Sequence, residues 1–211
     1  MDILFVCDIH GGLTTRCCFE CIAVNEKNEI EQSVKENKLK DIVKAKIKAN
    51  VPPRYFECSF ENYVVDDKNR DIYTRLSQYD FKHNLLLCGK TGTGKTHLSF
   101  ALMSKIIADF SCYYAQFYKL TEIKINQPEL YNYLTCCDFL VIDEYGVQET
   151  DFKNNLLFEI INDRYNNMQV TVLISNLDFA KVKDSMSDAL YSRFKNNVDT
   201  YNFAWNDYRL K

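Results

Sequence analysis

A chain of 211 residues with 46% apolar and 26% charged residues can bury the core of one ordinary domain, so extensive disorder is excluded. The formal charge of -3 excludes a globally basic nucleic-acid binder but leaves room for a local basic patch. The apolar runs are far shorter than the roughly 20 residues of a membrane-spanning helix. The amino end also lacks the cationic start of a signal peptide, so we expect a cytoplasmic protein.

The first 25 residues contain a cluster of metal-ligand residue types, Cys7, His10, Cys17, Cys18 and Cys21. Two close pairs separated by a loop, C-x2-H and C-x2-C, are typical of tetrahedral zinc sites. We therefore predict a small zinc module over residues 1–25, with Cys7, His10, Cys18 and Cys21 as ligands. Two alternatives stay open, namely Cys17 in place of Cys18, and free thiols in a poorly ordered tail.

The other five cysteines lie in apolar segments and are predicted to be buried thiols: Cys58, Cys88, Cys112, Cys136 and Cys137. A disulfide framework is not expected, because the cytoplasm keeps thiols reduced.

Residues 26–53 predict a basic amphipathic helix followed by a linker. Seven basic and two acidic residues lie between positions 35 and 54. An apolar stripe recurs at helical spacing and consists of Leu39, Ile42, Val43 and Ile47. The prolines at 52 and 53 end the helix. Three uses stay open, namely docking on a partner protein through the stripe, approach to DNA phosphates through the lysines, and packing on the protein's own core.

From residue 54 to 211, short apolar runs alternate with longer amphipathic ones. The predicted strands are Leu85–Cys88, Cys112–Phe117, Phe139–Ile142 and Val170–Ser175. The predicted helices are His97–Phe110, a stretch around Leu120–Leu134, and Phe152–Asn166. This alternation predicts an α/β fold, with a parallel sheet and flanking helices.

Residues 89–96, GKTGTGKT, match the phosphate-loop pattern G-x-x-x-x-G-K-[ST] without a mismatch. The motif follows a predicted strand and opens a predicted helix, which is the context that phosphate binding requires. We therefore predict that ATP binds to Gly89, Lys90, Thr91, Gly92, Thr93, Gly94, Lys95 and Thr96. In this site Lys95 neutralises the β- and γ-phosphates, and the Thr96 hydroxyl binds Mg²⁺.

A second acidic motif supports the first, because the apolar run at residues 139–142 ends in Asp143 and Glu144. Carboxyl ends of neighbouring parallel strands meet at one edge of the sheet, so Asp143 is predicted to bind Mg²⁺ beside the phosphate loop. Glu144 is then placed to activate water, as a hydrolase requires. The alternative is two solvated acids at the end of a strand.

Several further fragments occur in a fixed order along the chain, namely VPPRYFECSFENY at 51–63, VIDEYGVQ at 141–148, IINDRY at 160–165, LISNL at 173–177, YSRF at 191–194 and WNDYR at 205–209. In this order they resemble, over nearly the whole chain, the AAA+ ATPases of the DnaC/IstB type, which are bacterial and phage helicase loaders. This resemblance implies an AAA+ ATPase domain over residues 54–211 that binds ATP and Mg²⁺.

The resemblance also implies roles for three single residues. Asn176 matches the sensor that orients the hydrolytic water, Arg193 the arginine finger offered to a neighbouring subunit, and Arg209 the second sensor. A turn-forming asparagine and surface arginines are the alternatives. Only 35 residues follow Asn176, which implies a reduced lid and puts the role of Arg209 in doubt.

The resemblance implies a loader that places a hexameric replicative helicase on single-stranded DNA and hydrolyses ATP between its own subunits. Lys119 and Lys124 are candidates for contact with the DNA backbone, although a solvated helix face is an equal alternative. The other functions considered are an IstB-type transposition accessory ATPase, a small-molecule P-loop kinase, and a nucleotide-gated binding module with little turnover.

Overall fold

The computed structural model describes residues 5–6, 13–14, 19–146, 150–195 and 197–208, with side chains described from Glu26 onward. It divides into two compact units, residues 1–44 and 45–211. In the first unit, β1 (Phe5–Val6) pairs antiparallel with β2 (Leu13–Thr14). Helix α1 (Phe19–Lys48) begins in the first unit and ends in the second. It also continues across residue 25, where the sequence predicted the end of the zinc module.

The second unit is built on a five-stranded parallel sheet with the strand order β4-β5-β6-β3-β7. The strands are β3 (Asn84–Gly89), β4 (Cys112–Gln116), β5 (Phe139–Tyr145), β6 (Val170–Ser175) and β7 (Val198–Phe203). The four predicted strands are confirmed, and β7 is an additional one. Strand β3 lies between β6 and β7, so elements that follow these two neighbours reach the end of β3 from opposite sides.

The second unit also contains helices, namely α2 (Arg70–Ser77), α3 (Lys95–Ile106), α4 (Leu120–Asn126), α5 (Pro128–Cys136), α6 (Asp151–Asn166), α7 (Phe179–Ser185) and α8 (Asp188–Lys195). All of those after α2 connect strands of this sheet. Short 3-10 helices occur at Pro53–Tyr55 and Phe117–Lys119. The stretch predicted to be helical around 120–134 forms two helices, because a proline cannot continue a helix and Pro128 starts a new one.

Local side-chain contacts fix the starts of two helices. The Thr150 hydroxyl accepts a hydrogen bond from the amide of Lys153 and caps α6, and the Asp178 carboxylate caps α7 in the same way. The 30-residue helix α1 is long enough to cross a bilayer. However, no helix in the described part of the chain combines that length with a sufficiently apolar sequence.

The core lies on both faces of the sheet, and every residue of β3 and β6 is buried. Such continuous apolar strands are expected in a parallel sheet that is covered on both sides. Cys58, Cys88, Cys112 and Cys137 are buried as predicted, but the prediction for Cys136 is wrong. Cys136 is exposed at the C-terminal end of α5.

The core also contains a charged side chain that is almost completely buried. Arg164 of α6 is 1% exposed, and its guanidinium donates hydrogen bonds to the Thr171 hydroxyl and to the carbonyl oxygens of Leu134, Cys137 and Val170. Burial lowers the pKa of Arg164. These bonds join the end of α5 to the start of β6 through one side chain.

Candidate functional site

The phosphate-loop motif connects β3 to α3, as its sequence predicts. Gly89, Gly92 and Gly94 have φ values of 116°, 72° and 93°, in the left-handed region that favours glycine. At Gly89 a Cβ atom would lie 2.4 Å from the carbonyl oxygen of Phe203, the last residue of β7. The loop can therefore take this path only because glycine lets β7 approach it closely.

Side chains and main chain from two other segments hold the outer side of this loop. The Tyr63 hydroxyl and the Trp205 indole Nε1 both donate to the carbonyl oxygen of Thr93, each at 3.1 Å. The amide of Tyr208 donates to the carbonyl oxygen of Gly92 at 3.0 Å. These bonds use loop carbonyls, which fixes the loop conformation while an anion would be bound by loop amides.

Lys95 is the first residue of α3 and is only 4% exposed. Its ammonium group folds over the loop and donates to the carbonyl oxygens of Gly89, at 2.8 Å, and Lys90, at 2.6 Å. A cation held at the N-terminus of a helix adds to the positive end of the helix dipole. This combination favours an anionic ligand such as a polyphosphate.

Thr96 and Asp143 meet in the same cleft. The Thr96 hydroxyl donates to Asp143 Oδ2 at 2.9 Å, and the amide of Glu144 donates to Asp143 Oδ1 at 2.7 Å. Burial raises the pKa of Asp143. A hydroxyl and one carboxylate side by side suit Mg²⁺, which takes few protein ligands when it also binds phosphates.

Glu144 lies at an irregular point of β5. Its φ of 63° is unusual for a residue other than glycine, and the register of β5 with β6 shifts between Ile142 and Tyr145. This irregular backbone changes the direction of the Glu144 side chain. Gln116 Nε2 donates a hydrogen bond to Glu144 Oε2 at 3.4 Å. Burial, followed by the neighbouring charge of Asp143, raises the pKa of Glu144.

Asn176 directly follows β6 and lines the same cleft, which measures about 770 Å³. The structure thus brings Lys95, Thr96, Asp143, Glu144 and Asn176 into one cavity, although the sequence spreads them over more than 80 positions. The arrangement provides anion-binding groups beside a carboxylate and a carboxamide. It can hold a phosphate chain and orient a water molecule next to its end.

Arg193 does not line this cleft. It is exposed on α8, where its guanidinium lies 5.4 Å from the ring centre of Tyr165. Lys124 forms an ion pair with Glu159 at 2.7 Å, and Lys119 lies 5.9 Å from the ring centre of Tyr118.

Some predicted site residues lie outside the part of the chain that the structure describes. These are Arg209, Cys7, His10, Cys18 and the side chain of Cys21. Among the described residues, no group of three or more His, Cys, Asp or Glu side chains is placed to hold a metal ion.

The sequence motifs did not indicate five residues that line or support the cleft. Tyr63, Gln116 and Tyr208 line it. Asn69 and Trp205 support it through hydrogen bonds to Tyr208 and Thr93. The fragments at 51–63 and 205–209 carried a signal for Tyr63, Trp205 and Tyr208, but the motifs alone assigned no role to them. Asn69 and Gln116 stand in segments without a motif. Their roles depend on contacts made across the fold.

Comparison with known proteins agrees with this geometry. The family model described as "IstB-like ATP binding protein" matches residues 23–211. The replicative helicase loader DnaC of Buchnera aphidicola subsp. Schizaphis graminum is 27% identical over 198 residues, which cover 85% of this chain and 80% of that protein.

Two solved structures show the same fold. The crystal structure of the DnaC helicase loader superposes with a TM-score of 0.62 at 17% identity, covering 72% of this chain and 99% of that one. The replication initiator DnaA bound to AMPPCP and single-stranded DNA superposes with a TM-score of 0.63 at 22% identity, covering 74% of this chain. The match spans 51% of that initiator, about half of its length. At these identities the likeness establishes the fold alone, a parallel sheet with flanking helices.

Proposed function

Because this chain belongs to the IstB-like ATP-binding protein family, we propose that it is an ATPase that loads a hexameric replicative helicase onto single-stranded DNA in the bacterial cytoplasm. One observation carries the ATPase part, namely the cleft in which Lys95, Thr96, Asp143, Glu144 and Asn176 converge. The loader part is supported by the relatives named DnaC.

The residues of the cleft have different roles in the proposed hydrolysis. Loop amides, the start of α3 and Lys95 bind the triphosphate. Asn176 orients the attacking water, and the Glu144 carboxylate accepts its proton while the bond between the γ-phosphorus and the bridging oxygen breaks. Thr96 and Asp143 would hold Mg²⁺, which offsets the negative charge of the phosphates.

Arg193 completes the site of a neighbouring subunit in this proposal. It is exposed and lies away from its own cleft, as a residue used in trans must. A guanidinium from the next subunit stabilises the charge that develops on the transferred phosphoryl group. Self-association is therefore part of the catalytic cycle. Arg209 stays a proposed second sensor.

The basic helix α1 supports a role in partner binding. Leu39 and Ile47, two residues of its apolar stripe, are each 63% exposed, and its lysines carry positive charge. An exposed apolar stripe favours docking on a protein, and the lysines favour DNA phosphates. The proposed partners are the replicative helicase and single-stranded DNA, for which Lys119 is a further candidate contact.

We also propose a zinc site at the amino end. Cys7 and His10 fall between the paired strands β1 and β2 in the chain, and Cys18 and Cys21 flank the first residues of α1. Pairs of ligands next to a hairpin and next to a helix start suit tetrahedral zinc. Metal analysis of protein purified without chelator should find one zinc per chain. A value well below one rejects the site, and Cys17→Ser and Cys18→Ser variants identify the ligand.

A loading assay tests the loader function. The chain is mixed with DnaB-type helicase hexamers and with circular single-stranded DNA that carries an annealed reporter strand. We expect ATP-dependent release of the reporter strand with a matching helicase, and none with the Lys95→Ala variant. If no helicase of a broad bacterial panel is loaded but a transposase of the IS21 type is stimulated, the transposition accessory function replaces this one. The small-molecule kinase is disfavoured because Glu144 and Asn176 suit an attacking water.

A further inference from the structure

Tyr208 occupies an unusual position beside the phosphate loop. Its hydroxyl donates to Asp66 Oδ2 at 2.6 Å and accepts a hydrogen bond from Asn69 Nδ2 at 2.8 Å. Its amide donates to the carbonyl oxygen of Gly92 at 3.0 Å. One residue thus joins the segment after β7 both to the phosphate loop and to the segment that precedes α2.

Asn69 makes this connection rigid. It is fully buried, and its side chain also donates to the carbonyl oxygen of Val64 at 2.9 Å and accepts from the amide of Asp66 at 2.8 Å. The side chains of Asn69 and Tyr208 take part in four of these hydrogen bonds, which fix the Tyr208 ring relative to Val64. Such a satisfied network holds side chains in one arrangement, which is useful where a ligand must be positioned.

Tyr208 and Val64 both line the nucleotide cleft. Val64 is 66% exposed, which is high for a valine in a cavity wall, and the Tyr208 ring is half-buried. An exposed aliphatic side chain and a fixed aromatic ring are groups against which a planar base can pack.

The strand order places Tyr208 and Val64 at the end of the cleft where a bound nucleotide would have its nucleoside. Glu144 and Asn176 lie at the ends of β5 and β6, on one side of β3, whereas Tyr208 follows β7 on the other side. A nucleotide whose terminal phosphate points to Glu144 and Asn176 therefore directs its nucleoside toward the β7 side. This step rests on the proposed function.

We propose that Tyr208 is a nucleotide-binding residue whose ring packs against the nucleoside, with Val64 as the second wall and with Asp66 and Asn69 as positioning residues. In this way the segment after β7 supplies a contact to the nucleoside. The proposal predicts that Tyr208 contributes to binding of the nucleoside but not of the phosphates.

Calorimetry with two probes tests this separation. Mg·AMPPCP carries the nucleoside, and Mg·tripolyphosphate presents phosphates alone. We expect Tyr208→Ala to weaken AMPPCP binding about tenfold and to leave tripolyphosphate binding within about twofold. Tyr208→Phe keeps the ring but loses the bonds to Asp66 and Asn69, so an intermediate loss of about threefold is expected. Tyr191→Ala, which removes a partly exposed tyrosine outside the cleft, should change neither affinity.

The experiment separates failure of this proposal from failure of the proposed function. Equal weakening of both probes by Tyr208→Ala, or weakening of neither, overturns the proposal while the proposed ATPase stands. Failure of the wild-type chain to bind either probe overturns the proposed function itself. Should Tyr208→Ala not fold, Val64→Ala replaces it, because an exposed side chain can be shortened safely. A selective loss of AMPPCP affinity in that variant supports the nucleoside wall, and unchanged affinity contradicts it.

Discussion

The carboxamide of Gln116 donates from Nε2 to the Oε2 atom of Glu144 at 3.4 Å. The two residues stand on the neighbouring strands β4 and β5, and the Tyr118 hydroxyl donates to Gln116 Oε1 at 2.9 Å. Because the carboxamide oxygen of Gln116 accepts the hydrogen bond from Tyr118, the carboxamide nitrogen of Gln116 faces Glu144. The proposed catalytic carboxylate is therefore oriented by a relay that begins next to α4.

Removing this contact should slow hydrolysis without affecting nucleotide binding. In Gln116→Ala, Glu144 keeps its carboxylate but loses a hydrogen bond that orients it, so we expect kcat to fall about tenfold. KM for ATP should stay within about twofold, because Gln116 is not part of the phosphate loop. Steady-state kinetics measure both values, and the exposed Gln127→Ala serves as the control. A larger change in KM than in kcat would mean that Gln116 acts on binding.

Glu144 itself should be required for hydrolysis but not for binding. Glu144→Gln keeps the size and hydrogen-bonding capacity of the side chain but cannot accept a proton, so turnover should fall by about 100-fold or more. Calorimetry should find the affinity for Mg·ATP within about threefold of the wild type. Normal turnover in this variant would remove Glu144 from the mechanism.

Arg193 should act between subunits. If it completes a neighbouring site, ATP turnover per chain should rise with protein concentration, and Arg193→Ala should flatten this rise without loss of ATP affinity. Lys195→Ala is the matched control, because Lys195 is an exposed cation on the same helix. A turnover per chain that does not change with protein concentration, in wild type and variant alike, would contradict a role in trans.

Most of the sheet could be predicted from the sequence, because continuous apolar runs such as Val170–Ser175 are typical of strands buried on both faces. Strand β7 was not predicted, because it is an edge strand of the sheet and contains exposed polar residues such as Asp199 and Thr200. Its apolar run is correspondingly short. The break between α4 and α5 has a local cause in the sequence, because Pro128 starts a new helix.

The candidate site was predictable where its residues form contiguous motifs, as at 89–96 and at Asp143 and Glu144. Gln116 and Asn69 could not be found this way, because each acts through a partner at least 28 positions away or through several bonds at once. Arg164 is similar. Nothing in its local sequence indicates that a guanidinium will be buried among carbonyl oxygens.

Arg164 should be a large contributor to stability. Arg164→Met retains much of the side-chain volume but leaves three buried carbonyl oxygens and a hydroxyl without their donor, so unfolding free energy should fall by about 3 kcal/mol. Denaturant titration followed by circular dichroism measures the loss. Arg75→Ala, which removes an exposed ion pair with Asp71, should cost less than about 1 kcal/mol. Equal losses in the two variants would refute the assigned role.

The central claim is that residues 89–96 bind the phosphates of Mg·ATP, and the only tryptophan of the chain reports on it directly. Trp205 is buried and donates its indole N–H to the carbonyl oxygen of Thr93 within the loop. Titration of the wild-type chain with Mg·ATP should produce a saturable change in tryptophan emission. The change should persist in Lys82→Ala, which removes an exposed cation outside the loop, and be absent in Lys95→Ala. An emission that stays constant in the wild type, together with no heat of binding, would contradict the account.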